Sequence, residues 1–104
     1  MSAWHVRLAE TAVGDIREAT IYISDQLLNP KAADDFLDEV QVKIDMLGKN
    51  PEAYPRVRDF GLARAGYRWC SVGNFLMFFN VDTTRHLVYV ERVLFGSRDW
   101  KSLL

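Results

Sequence analysis

The side chains with chemical reach lie mostly in the second half of the chain. Arg64, Arg68, Arg92 and Arg98 are four of its nine arginines, and the stretch "RVLFGSRDW" (Arg92–Trp100) sets two of them around Phe95. A guanidinium fork holds phosphate or carboxylate bidentately. Arginine mixed with aromatics is also the composition that dominates binding energy in interfaces. Phe95, Arg98 and Trp100 flank Gly96, so one turn is expected to gather them into a contact cluster. Arg92 is a different case. It sits in the apolar strand pattern "VYVERVLF", where a charge must find a partner or line a cavity. Plainer readings stand beside these. Arg56 and Arg58 flank a proline loop and can be solvated, Arg64 and Arg68 can pair with Asp38 or Asp45, and Arg98 can close a turn on Asp99.

Groups able to move a proton are fewer. His86 stands before the last strand pattern, beside the turn "DTTR", and reads as a turn-flanking histidine. Glu91 is a candidate base, although next to Arg92 it also reads as an exposed acid. Tyr67 and Tyr89 read as core or interface aromatics satisfied by one hydrogen bond. Cys70 is the single cysteine, within "YRWCSV". A catalytic thiol would need a base beside it, and neither His5 nor His86 is near in sequence, so it reads as a small buried hydrophobe. One cysteine makes no internal disulfide and no cysteine-rich metal site. No metal or other cofactor is expected.

A chain of 104 residues suits one domain with one core, and 1–104 is read as that unit. With 49% hydrophobic and 26% charged residues it matches an ordinary globular protein rather than a disordered one. No apolar run approaches the roughly 20 residues of a membrane helix. The start, "MSAWHVRLAE", has no basic region leading into an apolar core, so no signal peptide and no membrane partner are expected, and the location is read as cytoplasmic. The net charge of −1 makes no case for nucleic acid. The halves differ, however: residues 1–50 carry five Lys and Arg against nine Asp and Glu (−4), and residues 51–104 carry eight against five (+3).

The elements that must position these groups follow from periodicity. "AWHVRLA" alternates as a half-buried strand. Thr11 is read as the N-cap of a first helix, with Asp15 in the early turns where the dipole favours acid and Ile16, Ala19, Ile23 and Leu27 as its apolar stripe. Asn29 caps a second helix with Pro30 at its first position. Ala33, Phe36, Leu37, Val40, Ile44 and Leu47 form its stripe, and Gly48 with Asn50-Pro51 stops it. After the irregular "NPEAYPRVRDFGLARAG", three strands, "YRWCSV", "NFLMFFNV" and "HLVYVERVLF", are separated by turns at Gly73-Asn74 and Asp82–Arg85. The order is β-α-α-β-β-β, an α+β fold with a helical hairpin on one face of an antiparallel sheet. The other face is then partly open, and a site would lie there. In the last strand Val88, Val90, Arg92 and Leu94 share one face, and Leu87, Tyr89, Glu91, Val93 and Phe95 the other. Periodicity does not choose which of the two meets the helices.

This order of elements resembles the RelE/ParE toxin superfamily. The resemblance is carried by Asp15-Ile16 and Tyr22-Ile23 in helix one, by the Asn29-Pro30 start of helix two, by "NPEAYP", by "GYRW" and "VGNFLMFF", and by the closing "RVLFGSRD". It runs along nearly the whole chain and is nearer to ParE, whose members commonly end in an arginine-valine strand, a glycine, then arginine-aspartate. The resemblance implies the toxin of a type II toxin–antitoxin pair, neutralised by a small antitoxin encoded beside it in a hetero-oligomer. ParE-like members inhibit DNA gyrase without catalysis, whereas RelE-like members act with the ribosome as endoribonucleases on mRNA.

Cutting RNA beside a 2′-hydroxyl needs a base, an acid and cations around the phosphate. Arg64, Arg68, Arg92 and Arg98 would supply the cations, with Glu91 and His86 as the nearest acid–base candidates. The end of the last strand offers Leu94, Phe95 and Trp100, none of which transfers a proton. That deficit favours a gyrase-binding inhibitor, with Arg92, Phe95, Arg98 and Trp100 contacting target or antitoxin. The ribonuclease and a non-toxic binding module on the same fold are the alternatives.

Overall fold

The chain runs β1 (His5–Leu8), α1 (Glu10–Ile21), a π-helical turn (Tyr22–Gln26), α2 (Pro30–Leu47), a 3-10 turn (Pro51–Ala53), β2 (Arg68–Val72), β3 (Phe75–Asp82) and β4 (Leu87–Phe95). These come from a computed structural model that describes residues 3–58, 65–98, 100 and 103–104. The α+β order expected from the sequence is the order observed.

The three C-terminal strands form the meander, with sheet order β1-β4-β3-β2. Gly73 turns β2 into β3 at φ +57, a conformation that costs glycine nothing. The sheet is mixed rather than wholly antiparallel, because β1 joins β4 in parallel, Leu8 opposite Val90. The helical hairpin is the crossover that allows this, carrying the chain over one face and back.

A bulge in β4 corrects the expected alternation. The register passes from Phe78 opposite Arg92 to Phe79 opposite Val90, so Glu91 is the extra residue. Val88, Val90 and then Val93 therefore point to the helices, while Leu94 points away. The helix-side core holds Met77, Phe79, Val88, Val90 and Val93 with Phe36, Val40 and Leu47 of α2. A fully buried side chain of this size contributes about 1.5–3 kcal/mol. The opposite face is less open than expected. Val57, Phe78 and Leu94 are buried there under Tyr67, Trp69, Trp100 and the C-terminal Leu103 and Leu104.

The helix ends follow local chemistry, with one exception. Asn29 caps α2 as its sequence implies, its side chain accepting from the Ala32 N–H at 3.1 Å, with Pro30 in the first turn. The N-cap of α1 is Ala9, without a side-chain cap. Thr11, expected there, lies inside the helix and its Oγ1 donates to the Glu91 carbonyl at 2.8 Å.

Candidate functional site

Asp15 and Arg92 meet across 77 residues of sequence. Arg92 Nε and Nη2 donate to the two carboxylate oxygens of Asp15 at 2.8 and 2.9 Å, a bidentate fork. Asp15 Oδ2 also accepts the backbone N–H of Val93 at 3.0 Å, and Arg92 Nη1 donates to the Leu103 carbonyl at 2.9 Å. The cause lies in the sheet. β1 stops pairing at Val90, so among the described residues β4 continues with an outer edge that has no strand beside it. Thr11 takes the Glu91 carbonyl on that edge and Asp15 takes the Val93 N–H. Side chains of α1 thus do the work of a missing strand, and Arg92 neutralises the carboxylate that makes this possible. The side chains of Arg92 and Asp15 are only 20% and 8% exposed. The Asp15 contact pushes the guanidinium pKa further up, against the opposing effect of burial.

The other predicted residues do not converge on one spot. Phe95 packs edge-on against Phe75, ring centroids 5.4 Å apart, on the helix side. Trp100 packs on Phe78 at 5.3 Å, on the opposite face. The turn at Gly96 therefore sends the two aromatics apart rather than together, because Phe95 continues the strand's helix-side row while the chain beyond it crosses to the other core. Arg98 lies with Phe95 on the helix side. Arg68, expected beside Asp38 or Asp45, instead holds two carbonyls: Nη1 donates to those of Tyr54 and Glu52 at 2.6 and 3.2 Å, tying the proline loop to β2. His86 stacks on Trp4 at 3.9 Å before β4, roughly 25 Å along the strand from Phe95. Arg64 and Asp99 lie outside the described residues.

Glu91 and Tyr67 are electrostatic neighbours. Burial raises the Tyr67 hydroxyl pKa, and the Glu91 carboxylate raises it further. Cys70 is buried, and its thiol is pushed up to about 11 by that burial, with Lys43 pulling weakly the other way. It is a hydrophobe here, as its strand context implies. Among the described residues no group of three or more His, Cys, Asp or Glu is placed to hold a metal ion, and no helix is long and apolar enough to cross a membrane.

Among the described residues a cavity lies on the helix side, whereas the sequence placed a site on the opposite, open face. It is a cleft of about 720 Å3 between α1 with its π turn, α2 and the adjoining ends of β3 and β4. Ala19, Ile23, Phe36, Phe75 and Val93 line it, Tyr22 and Leu27 extend it outward, and Phe95 with Arg98 closes one end. Sequence periodicity assigned Leu27 and Leu37 to a buried stripe, yet they are 56% and 41% exposed. For Leu27 the reason is the π turn, which changes the rotation per residue after Ile21 and carries it off the core face.

A family model described as "ParE toxin of type II toxin-antitoxin system, parDE" matches residues 6–100. The chain belongs to the ParE toxin family. No curated protein matches the sequence. Three solved structures share the fold at low identity. The chromosomal ParDE toxin–antitoxin system of P. aeruginosa aligns with a TM-score of 0.71 at 14% identity, over 88% of this chain and 95% of that one. The toxin–antitoxin complex RelBE2 of Mycobacterium tuberculosis gives 0.64 at 18%, over 94% and 97%. The archaeal RelE-RelB complex of Pyrococcus horikoshii OT3 gives 0.59 at 13%, over 91% and 97%. For a ParE-family chain, both ParDE and RelBE complexes thus stand among its structural relatives, and fold alone does not choose between their activities.

Proposed function

We propose that this ParE-family toxin arrests growth by binding DNA gyrase, without catalysis, and that a cognate antitoxin neutralises it by occupying the helix-side groove. The supporting observation is where the arginines are committed. Arg92 is held by Asp15 and the Leu103 carbonyl, and Arg68 by the carbonyls of Tyr54 and Glu52. Arg98 faces the helix-side groove, away from the Tyr67 and Trp69 face. Among the described residues, two of the cations an RNA-cutting site would aim at a phosphate, Arg68 and Arg92, are therefore engaged in holding this fold, and a third, Arg98, is turned to its other side.

The ribonuclease reading has one observation in its favour. The Glu91 carboxylate acts electrostatically on the Tyr67 hydroxyl, and a carboxylate near a phenol supplies the two kinds of group that 2′-hydroxyl chemistry needs. Induction of the toxin without its antitoxin separates the two. Thymidine incorporation is expected to fall before methionine incorporation does. Early mRNA cleavage at the ribosome, with replication untouched, would establish the ribonuclease with the ribosome and mRNA as partners instead.

A further inference from the structure

The tip of the helical hairpin combines two features that a purely structural link would avoid. Residues 27–29 carry the chain from the π turn into α2. Asn29 is taken up by capping, its side chain holding the Ala32 N–H, so the reversal falls on Leu28 at φ +51. Glycine or asparagine adopts that backbone with little strain, and a leucine does not. Leu28 is also 82% exposed, so its own side chain offsets little of the strain by burial. A strained backbone that holds an apolar side chain out in water marks a contact made with another molecule.

The surroundings of Leu28 narrow what covers it. Tyr22 and Leu27 line the helix-side groove, but Leu28 is not among the lining residues, so filling the groove does not by itself bury it. The hairpin tip, residues 18–35, carries Glu18, Asp25, Asp34 and Asp35 against Lys31 alone, a net charge of −3. All five side chains are exposed. The Lys31–Asp35 pair, 3.0 Å apart and open to solvent, screens little of that charge. A second copy docked tip to tip across a two-fold axis would set each chain's acids against the other's. The complementary occupant is an apolar recess with a basic rim. With Arg68 and Arg92 engaged within the fold, an apolar anchor is a grip this chain can offer a target.

We propose that Leu28 is the anchor by which the toxin grips its target protein, entering an apolar recess rimmed by lysine or arginine. The proposal rests on the reading of a toxin that acts by binding, and adds to it the residue and the chemistry of the recess. An aliphatic side chain seated in a pocket at the centre of a contact is the arrangement a specific interface is built around.

Leu28→Asn and Leu28→Gly suit the left-handed backbone and remove the apolar anchor, whereas Leu28→Met keeps it. The first two are expected to hold their melting temperature and their antitoxin affinity, yet to inhibit supercoiling by purified gyrase roughly tenfold less well, the worth of one buried leucine. Growth arrest on induction should weaken with them, and Leu28→Met should match the parent. Asp25→Lys is expected to weaken inhibition as well, and inhibition equal to or stronger than the parent's removes the basic rim. Undiminished arrest by folded Leu28→Asn and Leu28→Gly overturns the anchor, whatever the target. Unfolding of both shows that Leu28 packs within this chain and overturns it too. Loss of antitoxin binding assigns Leu28 to the antitoxin, and a parent dimer that these variants dissociate assigns it to a second copy; either result overturns the proposal. A parent that arrests growth with supercoiling untouched removes gyrase only, and the arrest assay then decides the anchor by itself.

Discussion

At the scale of single residues, Arg92 and Arg98 are separated by six positions and do different work. Arg92 binds a carboxylate that itself holds a strand edge, and both side chains are largely out of water. Removing one member of such a pair leaves the other charge uncompensated. Asp15→Ala and Arg92→Ala are each expected to destabilise by about 3–5 kcal/mol. Their double variant should lose less than the two combined, because the lone charge is the larger part of each loss. Arg98 lies at the exposed groove end, so Arg98→Ala should change stability by no more than about 0.5 kcal/mol while weakening neutralisation by the antitoxin. Melting curves beside growth rescue check all four proteins. Full rescue of the Arg98 variant, or its unfolding, would remove Arg98 from the partner surface. The sequence singled out Arg92 as a charge in need of a partner. It did not name Asp15, because a contact between positions 77 residues apart leaves no trace in local periodicity.

At the scale of elements, most of the fold was legible, and each departure has a physical source. Asn29-Pro30, the apolar stripe of α2, the three aromatic strands and the turn at Gly73 carry local signals strong enough to set their own structure. The bulge at Glu91 carries none, since it is fixed by how β4 meets β3, and it reverses the facing of everything after Val90. The partnership of β1 with β4 is likewise a product of the crossover. The link from α1 to α2 is the third departure. After the π turn, Leu28 takes φ +51, a left-handed conformation that a branched aliphatic residue adopts at a cost of roughly 1–2 kcal/mol. Asn29 N–H closes on the Ile23 carbonyl at 3.2 Å, six residues back, so the chain reverses at Leu28, where a left-handed residue at a helix end is normally glycine. Leu28 is also 82% exposed, so its side chain repays little of that cost within this chain. Leu28→Gly is expected to raise stability by about 0.5–1 kcal/mol, the relief of strain less the entropy glycine adds to the unfolded state. Denaturant midpoints measure it, and a destabilised Leu28→Gly would show that the leucine packs in a way its exposure hides.

At the scale of the molecule, the two faces of the sheet are finished to different degrees. One is covered by α2 and a second, smaller core under Trp100 closes much of the other, yet the helix side keeps a cleft of about 720 Å3 with an apolar floor. Tyr22 and Leu27, which line it, are more than half exposed, as are their chain neighbours Ile21 and Leu28. Scattered surface hydrophobes need no explanation, but four in one helix end that borders an apolar cleft are the composition of a surface that spends part of its time covered. Closing it should have a thermal signature. An interface of ordinary size buries about 1,600 Å2, a little over half of it apolar, for which rigid docking gives a heat-capacity change of roughly −0.2 kcal/mol/K. A partner that folds as it binds gives a more negative value, because its own ordering buries further apolar surface. Titration calorimetry of the toxin with its cognate antitoxin, at three temperatures, is expected to give a slope at or below that figure. Ala32→Trp should move the slope toward zero, since it takes up the volume in which the apolar contact forms. A complex that assembles with no heat-capacity change would mean that charge alone holds the partner and that the groove stays empty when the toxin is silenced.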